Sequence, residues 1–388
     1  MFKIACYFTH CETLGHTTRI FSLAKGLKEI KPNTEFLFLQ GGKELAQKQW
    51  EIDNSNIINL PNPFYSKNVF KGEKCRSTIE ETKKRIETMH EALIKFEPDI
   101  FITEYFPFGR EDCVNELVPI VKWLNHKGIK IYASIGYPVI STKIEKIEQI
   151  MGMFEKIIIH SPQEMDFRYL LDYLETQDMK ETAKWYDGFF DKYKEKICFT
   201  GYVLPSMKSL KECKQENKEK IVLISRGGGV IYPKIILNGI KISQYFKDYK
   251  FIAVGGPASS SDEQKIFKAL AKKYNVEYYE QLQSLSQYIA KSSATINMSG
   301  YGTATQLLYF KTPSVLVPRE KENNKFYLEQ KYRAYMLEKM GFGTTISYEN
   351  STAESMAEAL KEALQKKPKQ LPEKYFNGAE ETAKVIGL

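Results

Sequence analysis

The sequence predicts an α/β protein built from two doubly wound domains, each an open parallel sheet with helical crossovers. Three observations predict it. Strand-like and helix-like segments alternate along most of the 388 residues, the pattern of parallel strands joined by helices. The alternation is interrupted near residues 201–219, where Pro205 and a lysine-rich stretch lie, and then restarts, and the length suits about two domains. In the second half, glycine-rich turns follow apolar strands at Arg226-Gly227-Gly228-Gly229 and at Ser299-Gly300-Tyr301-Gly302. Sheets of this class bind ligands at the carboxyl ends of their strands.

In the first half, residues 3–9 read as a buried strand, 17–30 as a helix and 35–40 as a second strand. A long helix over 76–95 precedes Pro98 and a short strand over 99–103. Residues 111–126 are predicted helical, with strands over 129–134 and 156–160. The charged, aromatic stretch 164–196 has a helical period and is expected to embellish this domain. In the second half, strands are predicted over 220–225, 251–254, 276–279, 295–298 and 314–317, with helices between them. A helix over 353–365, a linker over 367–372 and a last helix complete the chain. The expected domains are 1–205 and 206–370, with residues 371–388 as a terminal helix packing back on the first domain. Pockets favour the cleft between two such domains.

Composition narrows the functional classes. Hydrophobic residues make up 43% and aromatics 13%, enough for folded cores. No apolar run is long enough for a membrane helix, and the start MFKIACYFTHC lacks the long apolar region of a signal peptide. The net charge of +8 suits an anionic substrate or an anionic membrane surface. No basic cluster interleaves with aromatics, which argues against nucleic acid. The cysteines Cys6, Cys11, Cys75, Cys113, Cys198 and Cys213 are scattered without a C-x-x-C pair, the usage of free thiols in a cytosolic protein. There is no D-x-D, no G-x-x-x-x-G-K-[ST] and no His/Cys/Asp cluster at metal-ligand spacing.

The most informative stretch is INMSGYGTATQLLYFKTPSVLVP, residues 296–318. It reads as strand, glycine turn, helix and strand. Gly300 and Gly302 are expected to allow a tight turn, and Thr303 to open a helix whose N–H groups and dipole suit a diphosphate. Three consecutive glycines, Gly227 to Gly229, offer backbone N–H groups to phosphate in the same way. Gln306, Gln330 and Arg333 lie on the following helices, where amide and guanidinium groups can bond hydroxyls or phosphate. In the first loop, Leu14-Gly15-His16-Thr17-Thr18-Arg19, Gly15 is expected to turn the chain and His16 to begin a helix. A histidine at a helix N-terminus is kept neutral and can accept a proton; a surface or capping histidine is the alternative. Arg19 fits a phosphate or a solvated surface. The aromatics Phe64, Tyr65, Phe70, Phe106 and Phe108 suit an acceptor ring or lipid, or ordinary packing.

At these residues the chain resembles glycosyltransferases of the GT-B fold, in the relatives of family 28, the group that includes the lipid II-forming N-acetylglucosaminyltransferase. In motif it is similar to predicted bacterial and archaeal glycosyltransferases whose first loop reads L-G-H-x-x-R. Their D-H-F-P-F-G-R is matched by Glu104-Tyr105-Phe106-Pro107-Phe108-Gly109-Arg110. Their G-Y-N-T-x-x-E-L-L-x-x-x-x-P-x-V-L-V-P-R is matched by Gly300-Tyr301-Gly302-Thr303, Gln306-Leu307-Leu308 and residues 313–319. The resemblance runs from His10 to beyond Arg333. It implies two Rossmann-like domains, the second binding a nucleoside-diphosphate sugar, most often a UDP-sugar. Arg226, Gly227, Gly228, Gly229, Ser299, Gly300, Tyr301, Gly302, Thr303, Gln306, Gln330 and Arg333 would hold the donor, with backbone near Leu282 at the base. Gly15, Arg19, Glu104, Phe108 and Arg110 would meet the acceptor, and His16 would deprotonate its hydroxyl. No cofactor and no metal are implied. Two departures stand out: Gln306 replaces the family's Glu, and Glu104-Tyr105 replace its Asp-His.

The expected activity is metal-independent, inverting transfer of a sugar from a nucleotide sugar to an acceptor hydroxyl, in cell-envelope or polysaccharide biosynthesis. The expected location is cytoplasmic, with peripheral contact to an anionic inner membrane face left open by the charge. A UDP-sugar hydrolase or epimerase of the same fold is the alternative enzyme, and a nucleotide-sugar-binding protein the alternative without catalysis.

Overall fold

Strong alternation of apolar strands and amphipathic helices produces two separate parallel sheets. The computed structural model describes residues 1–9, 14–42, 52–61, 78–108, 113–137, 144–214, 217–228, 231–322, 325–326 and 328–388. The chain divides into two units. One is built on His16–Pro205 with the amino-terminal strand and Lys374–Leu388, the other on Ser206–Glu373.

The first unit runs β1 (Lys3–Thr9), α1 (Gly15–Ile30), β2 (Glu35–Gly41), β3 (Ser55–Asn59), α2 (Ile79–Phe96), β4 (Ile100–Glu104), α3 (Val114–His126), β5 (Lys130–Gly136), α4 (Ile144–Met151), β6 (Lys156–His160), α5 (Gln163–Thr176), α6 (Lys180–Lys192) and β7 (Ile197–Phe199). The strands pair in the order β3-β2-β1-β4-β5-β6-β7, all in parallel. The inner strands are buried on both faces, so they read as continuous apolar runs rather than alternations. Thr78 and Glu81 form a reciprocal capping box that starts α2.

A charged group is also buried in this core. Arg85 on α2 is fully enclosed, and its Nη2 lies 2.7 Å from Oε1 of Glu116 on α3. The Arg85 Nη1 donates to the Pro61 carbonyl at 2.5 Å, and the Tyr7 hydroxyl joins the same carboxylate. Gly41 leaves the room: a Cβ there would sit 2.9 Å from Arg85 Nη2.

The second unit runs α7 (Met207–Cys213), β8 (Glu219–Ser225), α8 (Lys234–Lys241), β9 (Lys250–Val254), α9 (Ser261–Tyr274), β10 (Glu277–Tyr279), α10 (Ser286–Lys291), β11 (Ser292–Asn297), α11 (Tyr301–Phe310), β12 (Ser314–Leu316), a short antiparallel pair β13 (Lys321–Glu322) and β14 (Lys325–Phe326), α12 (Leu328–Lys339), β15 (Gly343–Thr345) and α13 (Ala353–Gln365). Its main sheet is ordered β10-β9-β8-β11-β12-β15, again all parallel. Val222, Ile224, Phe251 and Ile296 pack with Ile236, Ile240 and Leu360 in one core.

The last segment, a 3₁₀ turn at Glu373–Phe376 and α14 (Gly378–Ile386), belongs to the first unit. The Tyr202 N–H donates to the Tyr375 carbonyl at 2.7 Å, and the Gly378 N–H donates back to Tyr202 at 3.2 Å. Close approach requires glycine here: a Cβ on Gly26 would lie 2.4 Å from the Ala379 Cβ.

In both sheets the first strand of the unit lies in the middle, and the connection reverses direction beside it. The reversal falls between β1 and β4 in one unit and between β8 and β11 in the other. Adjacent loops diverge at such a switch point and leave a crevice at the strand ends.

Candidate active site at two switch points

In the first unit, His16 stands in the first turn of α1, after β1, and Glu104 is the last residue of β4. The switch point therefore brings together residues 88 positions apart. His16 Nδ1 lies 3.1 Å from Glu104 Oε1. The imidazole is a quarter exposed, whereas the carboxylate is fully buried. Arg19, one turn further along α1, donates Nη2 to the same Glu104 oxygen. Its Nη2 is 3.5 Å from His16 Nδ1, but a guanidinium has no acceptor to offer and its donor is already directed at the carboxylate. His16 Nδ1–H therefore donates to Glu104, which leaves Nε2 as the basic ring nitrogen.

The neighbouring groups fix this pair. Ser134 Oγ on β5 donates to Glu104 Oε2 at 3.1 Å. The Tyr105 ring packs edge-on to His16, with centroids 5.1 Å apart, and lies 5.2 Å beneath the Arg19 guanidinium. Tyr105 adopts φ +67°, a left-handed conformation that costs a non-glycine residue about 1–3 kcal/mol. Gly136, at the end of β5, makes space for Arg19: a Cβ would meet its Nη1 at 2.1 Å.

Several sequence expectations change here. Phe108 is buried and packs edge-on against Phe189, with centroids 5.7 Å apart, so it serves the core rather than an acceptor. Phe106 is likewise buried. Arg19 and Glu104 bond to each other instead of facing outward. Gly15 is not a turn residue: it opens α1 without a positive φ, and a Cβ there would meet nothing within 4 Å. Gly109, Arg110, Phe64, Tyr65, Phe70, Cys11, Cys75 and the predicted helix start at 76 lie outside the described residues.

In the second unit, the loops after β8 and β11 flank the switch point, and Ser225 pairs with Asn297 in register. Gly227 has φ +75°, which only glycine adopts without strain. Its N–H donates to Ser225 Oγ at 3.1 Å, so Gly228 follows a pinned turn; Gly229 lies outside the described residues. Across the switch, Gly300 is the N-cap of α11 and, as glycine, brings no side chain of its own to cap that end. This ten-residue helix starts directly after β11, so its N-terminal dipole end lies at the strand-end side of the sheet, where it suits an anion. Thr303 stands in the first turn, half-buried, and Tyr301 is buried. Leu282 lies half-buried in the loop between β10 and α10.

The tight turn expected of Gly300 and Gly302 does not depend on glycine. Gly300 has φ −64° and Gly302 lies inside α11; neither has a positive φ, and a Cβ on either would meet nothing within 4 Å. The helix, not glycine freedom, makes the anion-binding geometry.

Five predicted donor residues, Arg226, Gln306, Ser299, Gln330 and Arg333, prove to be committed within the fold. Arg226 is buried, with its guanidinium 3.1 Å from each Glu263 oxygen and 2.8 Å from Ser259 Oγ. Burial works against charge on Glu263, yet hydrogen bonds from Arg226 and Ser260 outweigh it and lower the carboxyl pKa. Arg226 therefore fixes the Gly227 turn to α9 rather than meeting a ligand. Gln306 accepts from Ser286 Oγ at 2.7 Å and donates to the Gly302 carbonyl at 2.8 Å. Ser299 is held from α12 on both sides: Arg333 Nε donates to its carbonyl at 2.8 Å, and its hydroxyl donates to the Gln330 carbonyl at 2.6 Å. Gln330 Oε1 accepts the Arg319 N–H at 3.0 Å. These residues brace the turn that aims α11. Among the described residues, no group of three or more His, Cys, Asp or Glu side chains is arranged to hold a metal.

Sequence reasoning missed Ser134, Gly136 and His160, and it missed that Glu104 is the partner of His16. The available signal was a polar residue closing an apolar strand, as in IFITE and KIIIH.

Two switch-point sheets of this kind define the GT-B architecture, and comparison bears that out. *Acinetobacter baumannii* MurG superposes with a TM-score of 0.56 at 11% identity, covering 100% of this chain and 99% of that one. *Medicago truncatula* UGT71G1, solved with UDP-glucose, gives 0.62 at 12% identity, covering 100% and 98%. Residues 209–386 match the glycosyltransferase family 28 C-terminal domain. The chain thus has the GT-B fold, and its residues 209–386 are similar to that family 28 domain. It is also 28% identical over 140 residues to a UDP-N-acetylglucosamine--N-acetylmuramyl-(pentapeptide) pyrophosphoryl-undecaprenol N-acetylglucosamine transferase of *Thermosipho africanus*. That match spans 34% of this chain and little more than a third, 37%, of the relative.

Proposed function

We propose that this chain is a glycosyltransferase that moves a sugar from a nucleoside diphosphate, a UDP-sugar first among them, to an acceptor hydroxyl, with inversion and without a metal. The observation that carries the reading is the His16–Glu104 pair, 3.1 Å apart at a switch point. A histidine with one nitrogen anchored to a buried carboxylate presents the other as a general base.

In this reading His16 Nε2 takes the acceptor proton as the acceptor oxygen attacks the anomeric carbon. The imidazolium that forms is stabilised by Glu104, whose charge and orientation are held by Arg19 and Ser134. The bond from the anomeric carbon to the diphosphate breaks on the opposite face, which inverts the centre. The departing diphosphate gains negative charge, which the N-terminus of α11 and the Gly227 turn are suited to stabilise electrostatically. A UDP-sugar is supported by the family 28 domain, by the UDP-N-acetylglucosamine named for the *Thermosipho* relative and by the UDP-glucose bound to the *Medicago* structure. The same relative supports a cell-envelope acceptor. The +8 net charge supports peripheral contact with anionic lipid; among the described residues no helix is long and apolar enough to cross a membrane.

The test is nucleoside-diphosphate release from a panel of UDP-, GDP-, dTDP- and CDP-sugars, with an acceptor panel and with EDTA. The reading expects EDTA-resistant turnover of one nucleotide sugar that depends on acceptor and is lost in His16→Ala. Turnover without acceptor would point instead to a hydrolase or epimerase, and no consumption of any nucleotide sugar would overturn the enzyme reading.

A further inference from the structure

The reaction above leaves one buried imidazole unused. His160 closes β6 and is completely enclosed. Its Nε2 lies 2.9 Å from Ser134 Oγ, and its Nδ1 lies 3.1 Å from Thr200 Oγ1. Ser134 and Thr200 are also buried. Glu104 pairs with Ser134 across β4 and β5, and β5 with β6 in turn, so the ends of three adjacent strands carry these groups side by side.

The protons can be assigned by count. A serine hydroxyl carries one proton, and that of Ser134 is directed at Glu104 Oε2. Ser134 must then accept from His160, which puts the imidazole proton on Nε2. The Nδ1 lone pair accepts from the Thr200 hydroxyl. Every donor in the row therefore points toward the Glu104 carboxylate, whose other oxygen receives Arg19 and His16. Burial, with the nearby Arg19 charge adding to it, keeps the His160 ring neutral, its pKa held down to about 3.

We propose that Thr200, His160 and Ser134 form a positioning relay that fixes the orientation and basicity of Glu104 and so sets the proton affinity of His16. The proposal deepens the reading of His16 as the base and rests on it for its catalytic consequence. A hydrogen bond from Ser134 draws charge from Glu104. Without it the carboxylate holds the His16 proton more strongly, and His16 is protonated to higher pH. Among the described residues, the charged and titratable groups facing His16 include Glu104 and Tyr105 from the end of β4 and Arg19 from α1; those facing His160 include Arg19 and, through Ser134, Glu104. The relay lies wholly within the first unit, so it is expected to act on kcat and on the pH profile, not on donor KM.

The experiment is a ring-nitrogen NMR titration of the full chain labelled in its five histidines, paired with kcat and donor KM across pH. The variants are Ser134→Ala, His160→Phe and His160→Gln, with His16→Ala to assign the His16 signal. In the wild type, His160 is expected to stay in the neutral Nε2–H form from pH 5 to 9. Ser134→Ala and His160→Phe are expected to raise the His16 pKa by about half to one unit. In both, the acid limb of kcat moves the same way, and on that limb the rate at a fixed pH falls by about threefold to at most tenfold. His160→Gln keeps an N–H near the Nε2 position and restores most of the shift. An unchanged His16 pKa in folded Ser134→Ala and His160→Phe, or a His160 that titrates between pH 5 and 9, overturns the relay. If His16→Ala keeps the full rate, the base reading falls while the NMR shifts still decide the relay.

Discussion

Acidification should weaken the amino-terminal unit through His160. The ring is completely enclosed, and burial with the Arg19 charge lowers its pKa from 6.5 to about 3. In this window the unfolded chain binds a proton that the folded chain does not. Stability therefore rises with pH between about 3 and 6.5; the contribution is fully present above that range and is lost as pH falls through it. At 1.36 kcal/mol per unit, the loss from this one group reaches about 2 kcal/mol by pH 5. All three tryptophans, Trp50, Trp123 and Trp185, precede residue 206, so their fluorescence during urea unfolding reports the first unit. The measurement compares wild type with His160→Gln at pH 7.5 and pH 5. The carboxylates common to both proteins cancel in the difference. Wild type should lose about 2 kcal/mol more than the variant over this interval. Equal losses would show that His160 is not held neutral, and the proton assignment along the strand ends would fail with it.

Other predictions follow from the same geometry. His16→Ala should reduce transfer by about 10²–10⁴-fold without weakening nucleotide binding, as read by single-turnover kinetics and calorimetry. Gly136→Ala places a methyl where the Arg19 guanidinium lies and should cost about 3 kcal/mol by exposing Glu104 to burial without its cation, visible as a lowered tryptophan-detected midpoint. Gly227→Ala should destabilise by about 1 kcal/mol because φ is +75°, whereas Gly302→Ala, inside α11 with open space around it, should stabilise by about 0.5–1 kcal/mol; thermal melts of the two variants should shift in opposite directions. Gln306→Glu keeps the acceptor for Ser286 but sets an oxygen against the Gly302 carbonyl. It should lower the melting temperature by a few degrees unless UDP is present to take the new charge's hydrogen bonds.

The strands that the sequence places well are those buried on both faces. The expected bounds 3–9 and 156–160 coincide with β1 and β6, because continuous β-branched and aromatic runs admit no other buried structure of that length. The helix at 353–365 coincides with α13 for the same reason of period. Strand β3 escaped because SNIIN is an edge strand, half-exposed, with asparagines where apolar residues would mark it. Helix α4 and strand β7 escaped because they are short. The start of α2 was within reach, since Thr78-x-x-Glu81 is a capping-box pattern. The site divides along a different line. Its positions, the loops after β1, β4, β8 and β11, follow from the strand–helix alternation and the motifs that close those strands. Its chemistry does not, because His16 and Glu104 meet only through a strand order that no local pattern encodes. The glycines are the clearest case. Gly15, Gly300 and Gly302 attract attention by motif and have no steric need to be glycine, while Gly41 and Gly136 are required because buried arginines from other elements fill the space beside them.

The central claim is that the β8–β11 switch point of the second unit holds a nucleoside diphosphate. Calorimetric titration of UDP into wild type, Gly227→Val and His16→Ala tests it most directly. The account predicts binding to wild type, about tenfold or greater weakening in Gly227→Val, where a branched side chain cannot adopt the required φ, and unchanged binding in His16→Ala. No binding of UDP or of any other nucleoside diphosphate to the wild type, or equal binding to Gly227→Val, would contradict it.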